Sequence, residues 1–527
     1  MRGYVEQLQK LEGVSAGGGE PELSLLNVVG LFDRPLEGNA LTALLTANIP
    51  NLTDGLVLHR EKVRNYLGWV KEVRERPLSA DERSQRFRFA KERLRALKIL
   101  APASPADATQ IDAHPVVRQY FGDRLKQNYP AAFTAGHARL FQHYASAAPE
   151  EPDTLQDMQP LFDAIRHGCL AGEIQPTFHQ LYWSRVSRKG DDYAVRTLGA
   201  VGPMITILAN FFDQPWKQPS ARLETGSRRI LINRTANLLT ASGRLREALE
   251  VLDGARITEK YHRNSHYCSL LLDLGRIDEG IEAAEENQAQ AKQQDAVRPQ
   301  VNAFTQLAYA HFLRGNLDRA HQLFTAAEQL QREKIKQTRR QFLFSTNGFL
   351  FNQLLLDQGK AAEVVERAEN SLVIARRGGN HLAIGLDELV LAQCKAAVGA
   401  GKDSLFDTAV AELRLANRDD YLPYGLLWRA AFHRSQRRWD AAGEDLAEIE
   451  EIADFGEMQL FLAEAALERA RIALAHGNAT ALPVHSAKAA AIIQQMRYGR
   501  RSQEIKELER HLPSRASPAQ LSTAAPA

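Results

Sequence analysis

Three cysteines in 527 residues, Cys169, Cys268 and Cys394, are too scattered and odd in number to make a disulfide framework, so packing must hold the fold together. No run approaches the roughly 18 apolar residues a membrane span needs, and the opening MRGYVEQLQKLEG carries no signal-peptide core. These absences predict a cytoplasmic protein with no membrane partner. Charge of one sign is also scarce. Lys and Arg total 66 against 64 Asp and Glu, and the net charge of +2 supplies no global field for nucleic acid.

Catalytic signatures are missing as well. There is no GxSxG elbow, no Cys-His signature and no GxxxxGK[ST] phosphate loop. The nearest approach to that loop, GAGKDS at 399–404, has Asp403 where a hydroxyl should bind magnesium and Ala396 where the first glycine should be. The expectation is a chain that is not an enzyme, with no catalytic residues, no cofactor and no metal. His262, His266 and Cys268 have helical spacing but no fourth ligand nearby, and they read as packing residues.

What is present is ordinary folded-protein composition, 44% hydrophobic and 25% charged, in a chain long enough for several domains. Residues 1–19 end in SAGGG, a flexible segment, and the final LPSRASPAQLSTAAPA makes 511–527 a disordered tail. Between them, LSLLNVVGLF at 23–32 and Leu41–Leu45 read as short buried helices. Ser79 followed by Glu82 forms a capping box that starts a helix to Leu97, with Phe87, Ala90, Leu94 and Leu97 on one face. LKIL at 97–100 and TQIDAHP at 109–115 then read as two short strands. Helices followed by such a hairpin predict a small winged-helix domain over 20–130, and Pro-broken helices continue over 131–227 as a spacer.

From residue 228 the pattern becomes periodic. Gly315 has Ala308 seven residues before it and Ala320, Phe324 and Ala327 five, nine and twelve after it. Gly243 repeats that frame with Ala236, Ala248, Leu252 and Ala255, and Gly275 and Gly359 repeat most of it. A copy at Gly401 needs three extra residues, the one at Arg437 loses its glycine, and the one at Gly477 keeps little beyond Ala470. Small residues let antiparallel helices approach, and glycine permits the left-handed turn between them. The predicted fold class is therefore all-α: a tetratricopeptide-like (TPR-like) α-solenoid over 228–510, preceded by the spacer and the winged helix. Such a stack has a concave face suited to a protein or peptide ligand. Asn233, Asn237, Thr305, Tyr309 and Gln353 are its candidate contact residues.

LLNVVGLFDRP at 25–35 and DAHPVVRQYFGDRL at 112–125 resemble the start and end of the winged-helix region of bacterial STAND ATPases of the NB-ARC or NACHT type. PDTLQDMQPLFDAIRHGCLAG at 152–172 and YWSRVSRKGDDY at 182–193 are similar to their spacer. The resemblance spans roughly residues 20–510 and implies a protein–protein interaction or ligand-sensing module without its ATPase engine, with a separately encoded STAND ATPase subunit as one candidate partner. The family's nucleotide-sensing Met-His-Asp motif corresponds to Ala113, His114 and Pro115. Only the histidine is kept, so His114 stands as a remnant sensor or as a residue that closes the domain. The alternative function is a winged-helix DNA-binding regulator. Its support is the 13 basic against 6 acidic residues between Arg60 and Lys98, but the interleaved acids make a solvated face the simpler reading and nucleic acid an unexpected partner.

Overall fold

The computed structural model describes residues 20–64, 70–103, 107, 109–258, 264–293, 297–334 and 341–512. The segment 1–19, most of the tail 511–527 and His262 lie outside these residues. The chain divides into two compact units, Met1–Asp192 with Ser220–Ser227, and Tyr193–Pro219 with Arg228–Ala527.

The first unit opens with α1 (Glu20–Val29), α2 (Gly38–Ala47) and the single turn α3 (Asp54–Val57). An antiparallel hairpin, β1 (Leu58–Arg64) and β2 (Val70–Pro77), leads into α4 (Ala80–Ala96). The capping box predicted for α4 is present: Ser79 Oγ accepts from Glu82 N at 3.3 Å, and Glu82 Oε2 accepts from Ser79 N at 2.8 Å. The two strands predicted after it are reduced to single bridges, Leu100 with Ala113 and Leu36 with Ile111. Lys98 turns the chain at φ 57°, which cuts the first expected strand short. The hairpin β1–β2 is new relative to the sequence reading. HREKVR and KEVRER lack an alternating apolar face, so period-2 patterning could not reveal them.

Three longer helices complete the unit: α5 (Pro115–Asn128), α6 (Pro130–Ala147) and α7 (Leu155–Leu170). A turn, α8 (Ile174–Pro176), then runs into a π-helix, Thr177–Val186. Leu25, Val29, Leu31 and Phe32 are all at most 4% exposed and belong to this unit's core. A Cβ on Gly136 of α6 would meet Leu31 at 2.8 Å and Leu52 at 2.9 Å, so α6 packs directly on the winged-helix core.

The second unit starts with α9 (Tyr193–Arg196), α10 (Val201–Ala209) and the small ladder of β3 (Phe212–Gln214) with β4 (Gln218–Pro219). Seven helical hairpins follow: α11 (Thr225–Ala241) with α12 (Leu245–Thr258), α13 (Ser265–Asp273) with α14 (Ile277–Gln293), α15 (Val297–Arg314) with α16 (Leu317–Lys334), α17 (Ser345–Asp357) with α18 (Ala361–Arg377), α19 (His381–Ala397) with α20 (Asp403–Leu415), α21 (Leu422–Ser435) with α22 (Trp439–Gly456), and α23 (Gln459–His476) with α24 (Ala481–Met496). A 3-10 turn at Gly499–Arg501 and α25 (Ser502–Arg510) end the unit. This is the TPR-like solenoid the periodicity predicts.

The seam residues behave as the frame requires, with Ala236, Ala248, Ala308, Ala320 and Ala327 fully buried. The first turn shows why the glycine sits where it does. Gly243 has φ 73°, its N–H donates to Thr240 O at 3.0 Å, and the next N–H, of Arg244, donates to Leu239 O at 2.8 Å. These two bonds satisfy carbonyls that the end of α11 would otherwise leave open. In the copy that lost its glycine, Arg437 adopts the same left-handed conformation at φ 57°. The irregular fifth copy turns at Gly399, φ 74°, and not at Gly401. The extra residues of that copy are therefore a longer loop before α20.

Candidate functional site

A solenoid binds along its inner face, which here is built by the first helix of each hairpin. That face is turned on itself. Tyr309 of α15 hydrogen-bonds Tyr424 of α21, hydroxyl to hydroxyl, at 2.8 Å across 115 residues of sequence. Tyr424 also packs edge-on against Phe349 of α17 at 5.1 Å and Phe461 of α23 at 4.8 Å. Helices from the third, fourth, sixth and seventh hairpins thus meet around one aromatic ring. The space left beside Tyr309, Gln353, Tyr424 and Tyr498 is about 20 Å³, room for roughly one water.

Contacts between distant turns complete the closure. Asp419 N donates to Ala241 O at 2.7 Å, and Arg497 Nη1 meets Asp278 Oδ2 at 2.9 Å. Arg500 forms a two-pronged pair with Asp357 at 2.6 and 2.9 Å and lies over the Phe312 ring at 4.3 Å. Gly499 and Gly315 bring two backbones together: a Cβ on Gly499 would lie 2.7 Å from the Arg314 carbonyl carbon, and one on Gly315 would lie 3.0 Å from the Gly499 carbonyl carbon.

The closed interior carries charge. Arg501 Nε holds Glu464 Oε1 at 2.8 Å and Tyr498 donates its hydroxyl to the same carboxylate. Burial works against the Glu464 charge, but Arg501 and Arg500 outweigh it and hold the acid down at about 2. Asp273 behaves in the opposite way. Burial and the neighbouring Asp420 push it well above the usual carboxylate range, because Arg418, which opposes the shift, is engaged with Asp420 at 2.7 Å. Burial and the Arg418 charge lower His266 to about 3, and its Nε2 pairs with Thr240 Oγ1 at 2.9 Å.

No family model matches the chain, and no curated protein matches it. A solved structure does. It is that of a signal transduction ATPase with numerous domains (STAND) protein with a tetratricopeptide repeat sensor from Pyrococcus horikoshii, similar at TM-score 0.40 and 11% identity over 93% of this chain. The chain spans 65% of that protein's length.

The five predicted contact residues fall into two groups. Asn233 and Asn237 on α11 are half-buried, and Asn233 Oδ1 accepts from Asn264 Nδ2 at 2.9 Å. Thr305, Tyr309 and Gln353 are buried and cannot serve as open contacts in this state. Thr305 returns its hydroxyl to Val301 O at 2.8 Å, and Gln353 Nε2 bonds Gln393 Oε1 at 3.1 Å. Tyr309 is taken up by the closure, whereas Thr305 and Gln353 are spent on their own helix and on the next hairpin, contacts the repeat frame does not encode. Sequence reading also missed Arg418, Asp420, Glu464, Arg500 and Arg501. Their signal was charge on positions facing a helix neighbour, visible in YGRR at 498–501 only once the partners are known. His114 is exposed, and its Nδ1 accepts from Val116 N at 3.3 Å as the N-cap of α5. Among the described residues no group of three or more His, Cys, Asp or Glu is placed to hold a metal ion. GAGKDS runs from the loop after α19 into the first residues of α20, with no strand before it.

Proposed function

We propose that the chain is a non-catalytic recognition module of a STAND-type signalling system, which engages a protein or peptide on the inner face of its repeats after its own C-terminal turns are displaced. The observation that carries this reading is the occupied groove. The surface a solenoid uses for binding is complete, and the chain's own residues 417–424 and 497–501 fill it. Several of the closing contacts are solvent-accessible ion pairs, such as Arg497–Asp278 and Arg246–Glu457. Such pairs contribute about 0–1 kcal/mol each and exchange readily for equivalent contacts from a partner. A separately encoded STAND ATPase is one such partner, on the strength of the sequence resemblance.

The DNA-binding alternative finds less support. Arg86 donates to Leu58 O at 2.8 Å, Arg93 pairs with Glu22 at 3.0 Å, Arg60 pairs with Asp54 at 2.8 Å and Arg76 pairs with Glu82 at 2.6 Å. These bases are engaged within the unit and are poor phosphate ligands. To test the main reading, the full chain is reconstituted with a protein that co-purifies with it, and hydrogen exchange is followed at 305–309, 349–353 and 497–501. The expected result is a change at all three segments on binding. A partner that alters exchange only in residues 20–192, leaving the three segments untouched, overturns it.

A further inference from the structure

The first unit holds a cleft of about 410 Å³ that the repeat-based reading does not use. Its size falls in the roughly 300–1,000 Å³ range of small-molecule sites. The floor is the crossing of the chain after α1 with α5, where two glycines meet. A Cβ on Gly30 would lie 2.5 Å from Gly122 N and 2.7 Å from the Phe121 carbonyl carbon, so this backbone contact admits no side chain.

The walls combine cations with apolar surface: Arg118 and Lys126 from α5, Arg166 and Leu170 from α7, and Phe133 from α6. Arg118 is 8% exposed, and its Nη1 reaches Asp112 at 2.6 Å while its buried Nε has no hydrogen-bond partner. Arg166 has Asp33 at 3.1 Å, but that carboxylate's side chain is 61% exposed and its charge is largely spent on water. Lys126 is exposed, with its ammonium 5.8 Å from the centre of the Phe133 ring. Against these three cations stand Asp33 and Asp123 in the lining, both exposed, and Asp112, which pairs with Arg118.

The back of the cleft adds no negative charge. His137 lines it and meets His167 Nδ1 to Nδ1 at 2.8 Å, so one ring donates and the other accepts through an unprotonated Nδ1. Burial, followed by the positive charge of Arg166 and Lys126, keeps His137 down at about 3. Burial likewise lowers Arg166 despite Asp33 and Asp163. Each guanidinium thus meets a carboxylate, but Arg118 Nε is left buried without a hydrogen bond.

We propose that this cleft binds one small organic anion, with its oxyanion head on Arg118 and Arg166 under the rim charge of Lys126, and its apolar body against Phe133 and Leu170. A guanidinium fork matches a carboxylate or a phosphate. The test therefore carries both heads. The full chain is titrated calorimetrically with phenylacetate, phenyl phosphate, inorganic phosphate and the neutral phenylacetamide. Saturable one-to-one binding of phenylacetate or phenyl phosphate is expected, the better of the two identifying the head, with inorganic phosphate weaker and phenylacetamide silent. Lys126→Glu, at an exposed position that leaves the fold intact, weakens that binding at least tenfold, and Arg118→Gln abolishes it. The proposal is overturned if neither organic anion binds at about 10 mM, where even a 1 mM site is nearly full. It is equally overturned if phenylacetamide binds as well as the anions, or if Lys126→Glu leaves the affinity unchanged.

Discussion

Gly499→Ala is the sharpest probe of the closed solenoid. Gly499 lies in the 3-10 turn and needs no left-handed backbone, so the substitution adds a methyl group and little else. That methyl would sit 2.7 Å from the Arg314 carbonyl carbon and 3.4 Å from Gly315 N. The obstacle is backbone, which cannot rotate away as a side chain tip can. Overpacking of this kind costs about 1–3 kcal/mol. The loss is limited by what the closure holds, because the turn can lift away and surrender the Arg500–Asp357 and Arg497–Asp278 pairs. At about 2–4 °C of Tm per kcal/mol, a fall of about 2–12 °C is expected. Hydrogen exchange should rise in Val297–Arg314 and around 497–501 while α18 to α20 stay protected. Gly443→Ala serves as control: it sits inside α22 with nothing within 4 Å of its Cβ, and it should stabilise by about 0.5–1 kcal/mol. If Gly499→Ala matches the wild type in both Tm and exchange, the two turns are not in the contact described and the closed groove is refuted.

Three further outcomes can be measured. His137 and His167 are neutral when folded and have depressed pKa values, so the unfolded chain binds more protons than the folded one below about pH 6.5; stability should fall with pH there, by about 1.4 kcal/mol per unit for each histidine until the folded value is approached. Asp163, pushed up to about 6 by burial, opposes this between about pH 4 and 6, so urea unfolding read by exchange in α6 and α7 should show roughly one net proton taken up in that window, and His137→Phe should flatten the slope. Arg367 and Glu328 pair in the core at 2.9 Å, both under 10% exposed; Arg367→Met should cost about 3–5 kcal/mol in chemical denaturation and the double change to Met far less, and equal costs would mean the charge is not buried. The purified chain should neither bind ATP at micromolar concentration nor turn it over above a Lys402→Ala control, since the loop bearing Lys402 lacks the strand and hydroxyl that phosphate binding requires.

Local features were legible in the sequence and long-range ones were not. The Ser79–Glu82 cap, the turn at Gly243 and the glycine-free turn at Arg437 each follow from residues within a few positions of one another, and each appears in the structure. The hairpin at Leu58–Pro77 escaped because its charged sequence, HREKVR and KEVRER, carries no apolar period. Tyr309 and Gln353 were placed on the right face, but polarity alone could not distinguish a tyrosine awaiting a ligand from one already bonded to Tyr424. The cleft beside Arg118 was hidden for a similar reason. Its walls come from 30–33, 115–126, 133–137 and 166–170, and no motif joins them.

Repeat proteins ordinarily behave as one-dimensional chains, in which each unit touches only its neighbours and the ends fray first. The contacts of Arg500 with Asp357, Arg314 with Arg497 and Arg497 with Asp278 span 143, 183 and 219 residues and join the C-terminal turn of the stack to its middle. A stack tied in this way does not leave its last turn free to melt alone. Loss of the final turn should therefore be felt by the second, third and fourth hairpins, and unfolding should be more nearly all-or-none than in an open array. Folding should also be slower than helical content alone suggests, because the closing contacts form only after the intervening loop entropy has been overcome.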